Sequence, residues 1–190
     1  MLSGKIVGTE AGFNGPSEIC VLADRHSNIN QIATSLISQA EHDIDSQCIL
    51  VTKDKNLIKK VNKKIIELIK NLPRKKIAMQ SLKKNGIIVK AKTDKQIVDI
   101  LNCISTEHLE LLVKNYNNYK NKIYNAGSIL NGEYSPMCAS DFTVGTNHVL
   151  PTSGSAKFSS GLNINDFVKK ISLVTLTKKG VAKIANQAIT

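Results

Sequence analysis

Short, mostly apolar runs alternate along the chain with longer stretches in which apolar residues recur every three or four positions. Residues 18–23 (Glu-Ile-Cys-Val-Leu-Ala) predict a strand buried on both faces. Residues 28–39 follow with Ile29, Ile32, Ala33, Leu36 and Ile37 at helical spacing, behind an Asn or Ser cap. A second strand is expected at 47–52. An amphipathic helix is expected at 53–70, apolar at Leu57, Ile58, Val61, Ile65, Ile66 and Ile69 and lysine-rich on its other side. Pro73 breaks it, and a shorter helix runs on to Lys84. A third strand at 86–91 and a helix at 93–104 complete three βα repeats. Serial βα repeats imply an α/β fold, a doubly wound and mainly parallel sheet with helices on both faces. Such a sheet is expected to take ligands at the edge where its strands end.

Beyond Val113 the pattern changes. A short helix at 116–123 and a strand at 127–130 are followed by a polar segment bearing Gly and Pro, 131–161, with little periodicity. A stretch of that length in a compact domain is more often functional than idle. Residues 166–171 and 180–189 read as helical.

Composition narrows the possible chemistry. The 190 residues carry 26 basic and 15 acidic groups, a formal charge of +11, yet 24 of the cations are lysine and only Arg25 and Arg74 are arginine. Base readout depends on the arginine fork and single-strand binding on aromatic platforms. With aromatics at 4% and no Trp, no specific nucleic-acid partner is expected. A solvated lysine face accounts for the charge. The four cysteines are widely spaced with no Cys-x-x-Cys pair, so neither a disulfide framework nor a thiolate zinc site is indicated. Cys20, Cys48 and Cys103 lie in apolar runs and are expected to be buried as small hydrophobes. No apolar run is long enough to span a bilayer and no signal-peptide core opens the chain, so no membrane partner and a cytoplasmic location are expected.

Three polar clusters could carry chemistry. Gln39 and His42 close the first helix three residues apart, on one face, where both could reach one ion or ligand; a chance helix-end cluster accounts for them as well. Glu107 and His108 follow the third βα unit and offer two adjacent proton acceptors; a capping glutamate beside a surface histidine is the plain alternative. Asp141 and His148, in the long segment, add a hard oxygen and an imidazole that with Gln39 and His42 would suit Zn²⁺. Local turn hydrogen bonds could equally satisfy them. No Gly-x-Gly-x-x-Gly turn or phosphate loop occurs.

Several longer motifs stand in order along the chain: Gly15-Pro16-Ser17-Glu18; the run from Ser38 to Gln47 containing Gln39-Ala40-Glu41-His42-Asp43; Glu107-His108-Leu109; Ala126-Gly127-Ser128; Tyr134-Ser135-Pro136; Gly145-Thr146-Asn147-His148-Val149-Leu150-Pro151-Thr152; and Phe158-Ser159-Ser160-Gly161-Leu162. Together they resemble histidinol dehydrogenase. The resemblance implies a Rossmann-like fold and a zinc-dependent, two-step oxidation of L-histidinol to L-histidine by NAD, in histidine biosynthesis. It implies Gln39, His42 and Asp141 as zinc ligands, Glu107 and His108 as the catalytic pair, and Ser17, Gln39, His42, His108 and Asp141 as substrate contacts. Residues that would bind NAD are not indicated.

The chain departs from the family pattern in length, and at Ser140, Phe142 and Thr143-Val144. It is expected to be incomplete relative to the family, lacking an N-terminal half, most NAD contacts and a C-terminal tail with the fourth zinc ligand. The implied organisation is a divergent lead at 1–14, a Rossmann-like core at 15–130, an active-site loop segment at 131–163 and a shortened helical segment at 164–190. Three activities follow as alternatives: a dehydrogenase acting on a small histidinol-like substrate, as a homodimer or with a complementing chain; an inactive remnant that retains zinc or ligand; or a lysine-rich interaction module. Impaired activity by this chain alone is the expectation.

Overall fold

The computed structural model describes residues 15–189; the lead at 1–14 lies outside the described residues. Five strands form one parallel sheet in the order β3-β2-β1-β4-β5. They are β1 (Glu18–Ala23), β2 (Gln47–Thr52), β3 (Gly86–Lys90), β4 (His108–Leu111) and β5 (Ser128–Asn131). The helices are α1 (Ile29–Ala40), α2 (Lys55–Ile69), α3 (Lys75–Asn85), α4 (Asp94–Ile104), α5 (Asn117–Lys120), α6 (Met137–Phe142) and α7 (Lys178–Ala188). The α/β, doubly wound architecture is as the periodicity implies.

β1 lies at the centre of the sheet and is buried along its whole length, as its apolar sequence requires. Pairing places Ile19 opposite Cys48 on one side and His108 on the other. Alternate residues feed two cores. Ile19 and Val21 join Leu50, Ile32 and Leu36 of α1, and Leu57 and Val61 of α2 on one face. Cys20 and Leu22 join Ile49, Val51, Leu109, Leu111 and the α4 residues Ile97 and Leu101 on the other. The helices start where short polar side chains cap them: Asn28 accepts from Asn30 N–H, Asp54 from Asn56 N–H, and Thr93 from Gln96 N–H. Burial pushes the Cys48 thiol up to about 12, which keeps it a neutral core group.

This layout leaves a gap. Helices α1 to α3 cover β1 to β3, while among the described residues β4 and β5 have no long helix on that face. The polar segment after β5 partly covers the space, and Met137 at the head of α6 packs against the same core.

Four expectations need correction. Residues 166–171 do not form a helix: a 3₁₀ turn spans Ile164–Phe167, and 168–177 have no regular structure. Phe167 is 77% and Leu173 92% exposed, so the apolar spacing finds no surface to bury against, and burial is what sustains a short helix. Cys103 is exposed on α4 rather than buried, since the face that packs carries Ile97 and Leu101. The segment after residue 131 contains the helix α6. Finally, the candidate residues do not lie at the edge where the strands end.

Candidate functional site

A cleft of about 740 Å³ opens between α1, β4 and α6. Ser17, Gln39, His42, Glu107, His108, Asp141 and His148 all line it. They arrive by different routes. Ser17 immediately precedes β1, where its carbonyl accepts Gln47 N–H at 3.0 Å. α1 runs antiparallel to the strands, so its last turn brings Gln39, and the turn just after it His42, to the edge where the strands begin. Glu107 and His108 sit at the start of β4, and Asp141 near the end of α6. The candidate residues therefore gather at the N-terminal ends of the strands, opposite to the expected edge, and the cleft runs back from them along α1 to Gln31 and Asn30.

The turn from α4 into β4 fixes the catalytic candidates. Ser105 caps α4 in the left-handed conformation, with φ 55°, and its hydroxyl donates to Asn102 O at 2.7 Å. Thr106 and Glu107 are then drawn against the next strand: Gly127 N–H donates to Thr106 O and Ser128 N–H to Glu107 O. A Cβ at Gly127 would stand 2.6 Å from Glu107 O, so only glycine permits that approach.

Glu107 is buried, and its Oε2 accepts Glu18 N–H at 2.9 Å. Burial pushes its carboxyl up to about 7; the Glu18 N–H opposes the rise, and the charges of Glu18 and Asp141 add to it. His108 Nε2 lies 3.6 Å from Glu107 Oε1, and His108 Nδ1 shares a hydrogen bond with Ser128 Oγ at 3.2 Å. Burial lowers the His108 pKa, with the Asp141 charge opposing and His42 assisting. A carboxyl raised to about 7 beside an imidazole whose pKa burial lowers, side by side in a cleft, can pass protons in either direction.

Gln39 is buried at 3% exposure and His42 is exposed. Asp141 Oδ1 is buried and has no hydrogen-bond partner among the described residues. Among the described residues, no three His, Cys, Asp or Glu side chains converge to hold a metal ion. A metal here would draw on the two such groups His42 and Asp141 together with the Gln39 amide. An imidazole, an amide oxygen and a carboxylate oxygen lacking a partner make a mixed N/O donor set that fits zinc.

A family profile for histidinol dehydrogenase matches residues 3–190. The chain belongs to the histidinol dehydrogenase family. It is 50% identical over 184 residues to the histidinol dehydrogenase of Pelagibacter ubique strain HTCC1062, covering 97% of this chain and 43% of that protein. The Listeria monocytogenes EGD-e histidinol dehydrogenase is 46% identical over 169 residues, 89% of this chain and 40% of that one. The crystal structure of histidinol dehydrogenase from Elizabethkingia anophelis superimposes with a TM-score of 0.86 at 39% identity, over 91% of this chain and 40% of the other. The chain thus spans about two fifths of these histidinol dehydrogenases.

Sequence reasoning missed Glu110, which lines the same cleft at 1% exposure. The signal was available. Once 108–111 is a strand, period-two alternation puts His108 and Glu110 on one face and Leu109 and Leu111 on the other. Ser35, Met137 and the exposed Phe142 also line the cleft and were not singled out for it.

Proposed function

We propose that this chain carries the substrate-binding and proton-transfer part of a histidinol dehydrogenase. Gln39, His42 and Asp141 hold zinc, Glu107 and His108 move protons, and Ser17 joins Gln39, His42, His108 and Asp141 in contacting a histidinol-like amino alcohol. The observation that carries this reading is the convergence of all six residues, scattered from 17 to 141, on one cleft. Zinc bound there would supply a Lewis-acidic centre that holds and orients the substrate's nitrogen donors. The C-terminal end of α1, beside which Gln39 and His42 stand, favours a cation through the helix's partial negative charge.

Each oxidation removes a hydride from carbon and a proton from oxygen. His108 takes the proton first from the alcohol and then from the hydrated aldehyde. Its lowered pKa leaves the imidazole free to accept a proton at neutral pH. Glu107, held near neutrality by burial, takes a proton from the water that hydrates the aldehyde. The family's hydride acceptor is NAD. The β1–α1 turn, Asp24-Arg25-His26-Ser27, does not fit a dinucleotide pyrophosphate: it lacks glycine, and Asp24 Oδ1 accepts His26 N–H within it.

Binding tests the reading directly. In calorimetry, the zinc-loaded chain should bind L-histidinol, and His42→Ala should weaken zinc binding by roughly a hundredfold, as loss of a ligand requires. NAD reduction should appear when the chain is combined with the remaining portion of a relative's polypeptide. Absence of zinc and histidinol binding alike would overturn the proposal.

A further inference from the structure

Two buried carboxylates in the cleft region belong to neither the zinc donors nor the proton-transfer pair. Glu110, on β4, accepts Met137 N–H on Oε1 at 3.0 Å, at the first residue of α6, and the Ser35 side chain of α1 also interacts with its carboxyl. Glu18, the first residue of β1, accepts Ser153 N–H on Oε1 at 2.9 Å. Met137 and Ser153 bracket the stretch of chain that carries Asp141 and His148. Several polar contacts within that stretch and just beyond it are internal to the long segment: Thr146 Oγ1 donates to Ser140 O at 2.6 Å, and Asn147 Nδ2 to Leu162 O at 2.8 Å. Such bonds shape the segment but do not attach it to the sheet.

Burying a carboxylate is costly, and one backbone N–H returns only part of that cost. Ser153 is moreover held at φ 55°, a conformation that a non-glycine residue keeps only where its surroundings enforce it. Both features cost stability, and both fall where the segment meets the strands. We infer that Glu110 and Glu18 are positioning residues: each grips one end of the Asp141 segment through a backbone N–H and so sets the Asp141 carboxylate over the end of α1. The inference rests on reading Asp141 as a zinc donor.

Cobalt(II), whose visible spectrum reports its coordination, replaces zinc as the probe. The full chain is titrated as wild type, Glu110→Ala, Glu110→Gln, Asp141→Ala and the Asp141→Ala/Glu110→Ala double variant. Loss of a charge-assisted hydrogen bond should weaken cobalt binding roughly tenfold in Glu110→Ala, while Glu110→Gln, which keeps an acceptor oxygen, stays within about threefold of wild type. In the Asp141→Ala background the second substitution should change nothing more. Cobalt binding by Glu110→Ala equal to wild type, or an undiminished loss without Asp141, would overturn the inference. Should Glu110→Ala not fold, Met137→Pro removes the donated N–H at a first-turn helix position that tolerates proline, and the same tenfold loss is expected. Amide hydrogen exchange separates the two readings. Faster exchange over 137–148, with β1 and β2 still protected, supports the clamp even where the wild type binds no cobalt, an outcome that would instead refute the zinc assignment; unchanged exchange in the variants refutes the clamp.

Discussion

The two edges of the sheet carry clefts of similar size and opposite character. At the edge where the strands begin, the 740 Å³ cleft gathers Glu107, Glu110, Asp141, His42 and His108. At the edge where they end, a crevice of about 650 Å³ is lined by Arg25, Lys53, Lys55, Lys90 and Lys114 together with Asp24, Asp54 and Asp94. The acids of the crevice are already engaged. Asp24 accepts Lys114 N–H, Asp54 caps α2, and Asp94 pairs with Lys53 at 2.6 Å and accepts the Tyr119 hydroxyl. In the first cleft, by contrast, Asp141 Oδ1 is buried and, among the described residues, unmatched. Groups with finished hydrogen bonding stabilise a fold, whereas an unmatched buried one calls for a specific explanation. Helix polarity matches the contrast: α1, α2 and α4 begin beside the crevice, and α1 ends beside the cleft. A cation-seeking site gains from a helix C-terminus, so it lies opposite to the edge that suits phosphates.

The comparison is broken most severely by His108→Ala. In the complemented enzyme it should lower turnover by roughly 10² to 10⁴, the usual worth of a positioned base, with histidinol binding largely kept. Steady-state NAD reduction measures this, and a loss below tenfold would remove His108 from the chemistry.

The second way is through pH, because the edges respond with opposite sign. Glu107 has a folded-state pKa raised to about 7 from 4.5, so the native chain binds more protons than the unfolded chain across that window. Its contribution to stability therefore falls as pH rises from about 4.5 to about 7, by on the order of 3 kcal/mol. Burial raises Glu18 and Glu110 in the same direction. Asp94 is lowered, first by its hydrogen bond to Lys53 and then by Tyr119, so its contribution is present above its unfolded pKa of 3.8 and is lost as pH falls. Urea titrations across pH should show Glu107→Gln flattening the decline between pH 4.5 and 7 while Asp94→Asn leaves it intact. Identical slopes in Glu107→Gln and wild type would show that burial does not perturb Glu107.

The smallest effect is expected at the crevice. The Lys53–Asp94 pair is largely solvated, with side-chain exposures of 45% and 63%, so Asp94→Asn should cost about 1 kcal/mol or less. It should leave cobalt affinity unchanged. A tenfold change in that affinity would show that the two edges are coupled through the sheet.

Most of the architecture was legible because local signals and burial agreed. Asn28, Asp54 and Thr93 cap helices whose apolar faces meet a sheet already covered with Ile, Val and Leu. The same spacing at Phe167, Val168 and Ile171 gave a wrong expectation, since these side chains are exposed and no packing completes the helix. The candidate residues were legible through family motifs, and the site's setting was not. β4 is only four residues long, too short for alternation to declare itself, which hid Glu110 beside His108. The edge was misjudged because the strand-end rule describes ligands drawn to helix N-termini, whereas Gln39 and His42 stand by a helix C-terminus.

The sequence by itself determined the βα order, the capped helices, the family and which side chains are candidates for metal binding or proton transfer. Those are properties of residue type and spacing, and they survive without knowledge of packing. Only the tertiary structure decided that Ser17, Gln39, Glu107 and Asp141 share one cleft, that they gather at the start of the strands, and that Glu107 titrates near 7. Each of those depends on burial and on contacts between residues far apart in the chain, where desolvation and neighbouring charge, rather than identity, set the chemistry.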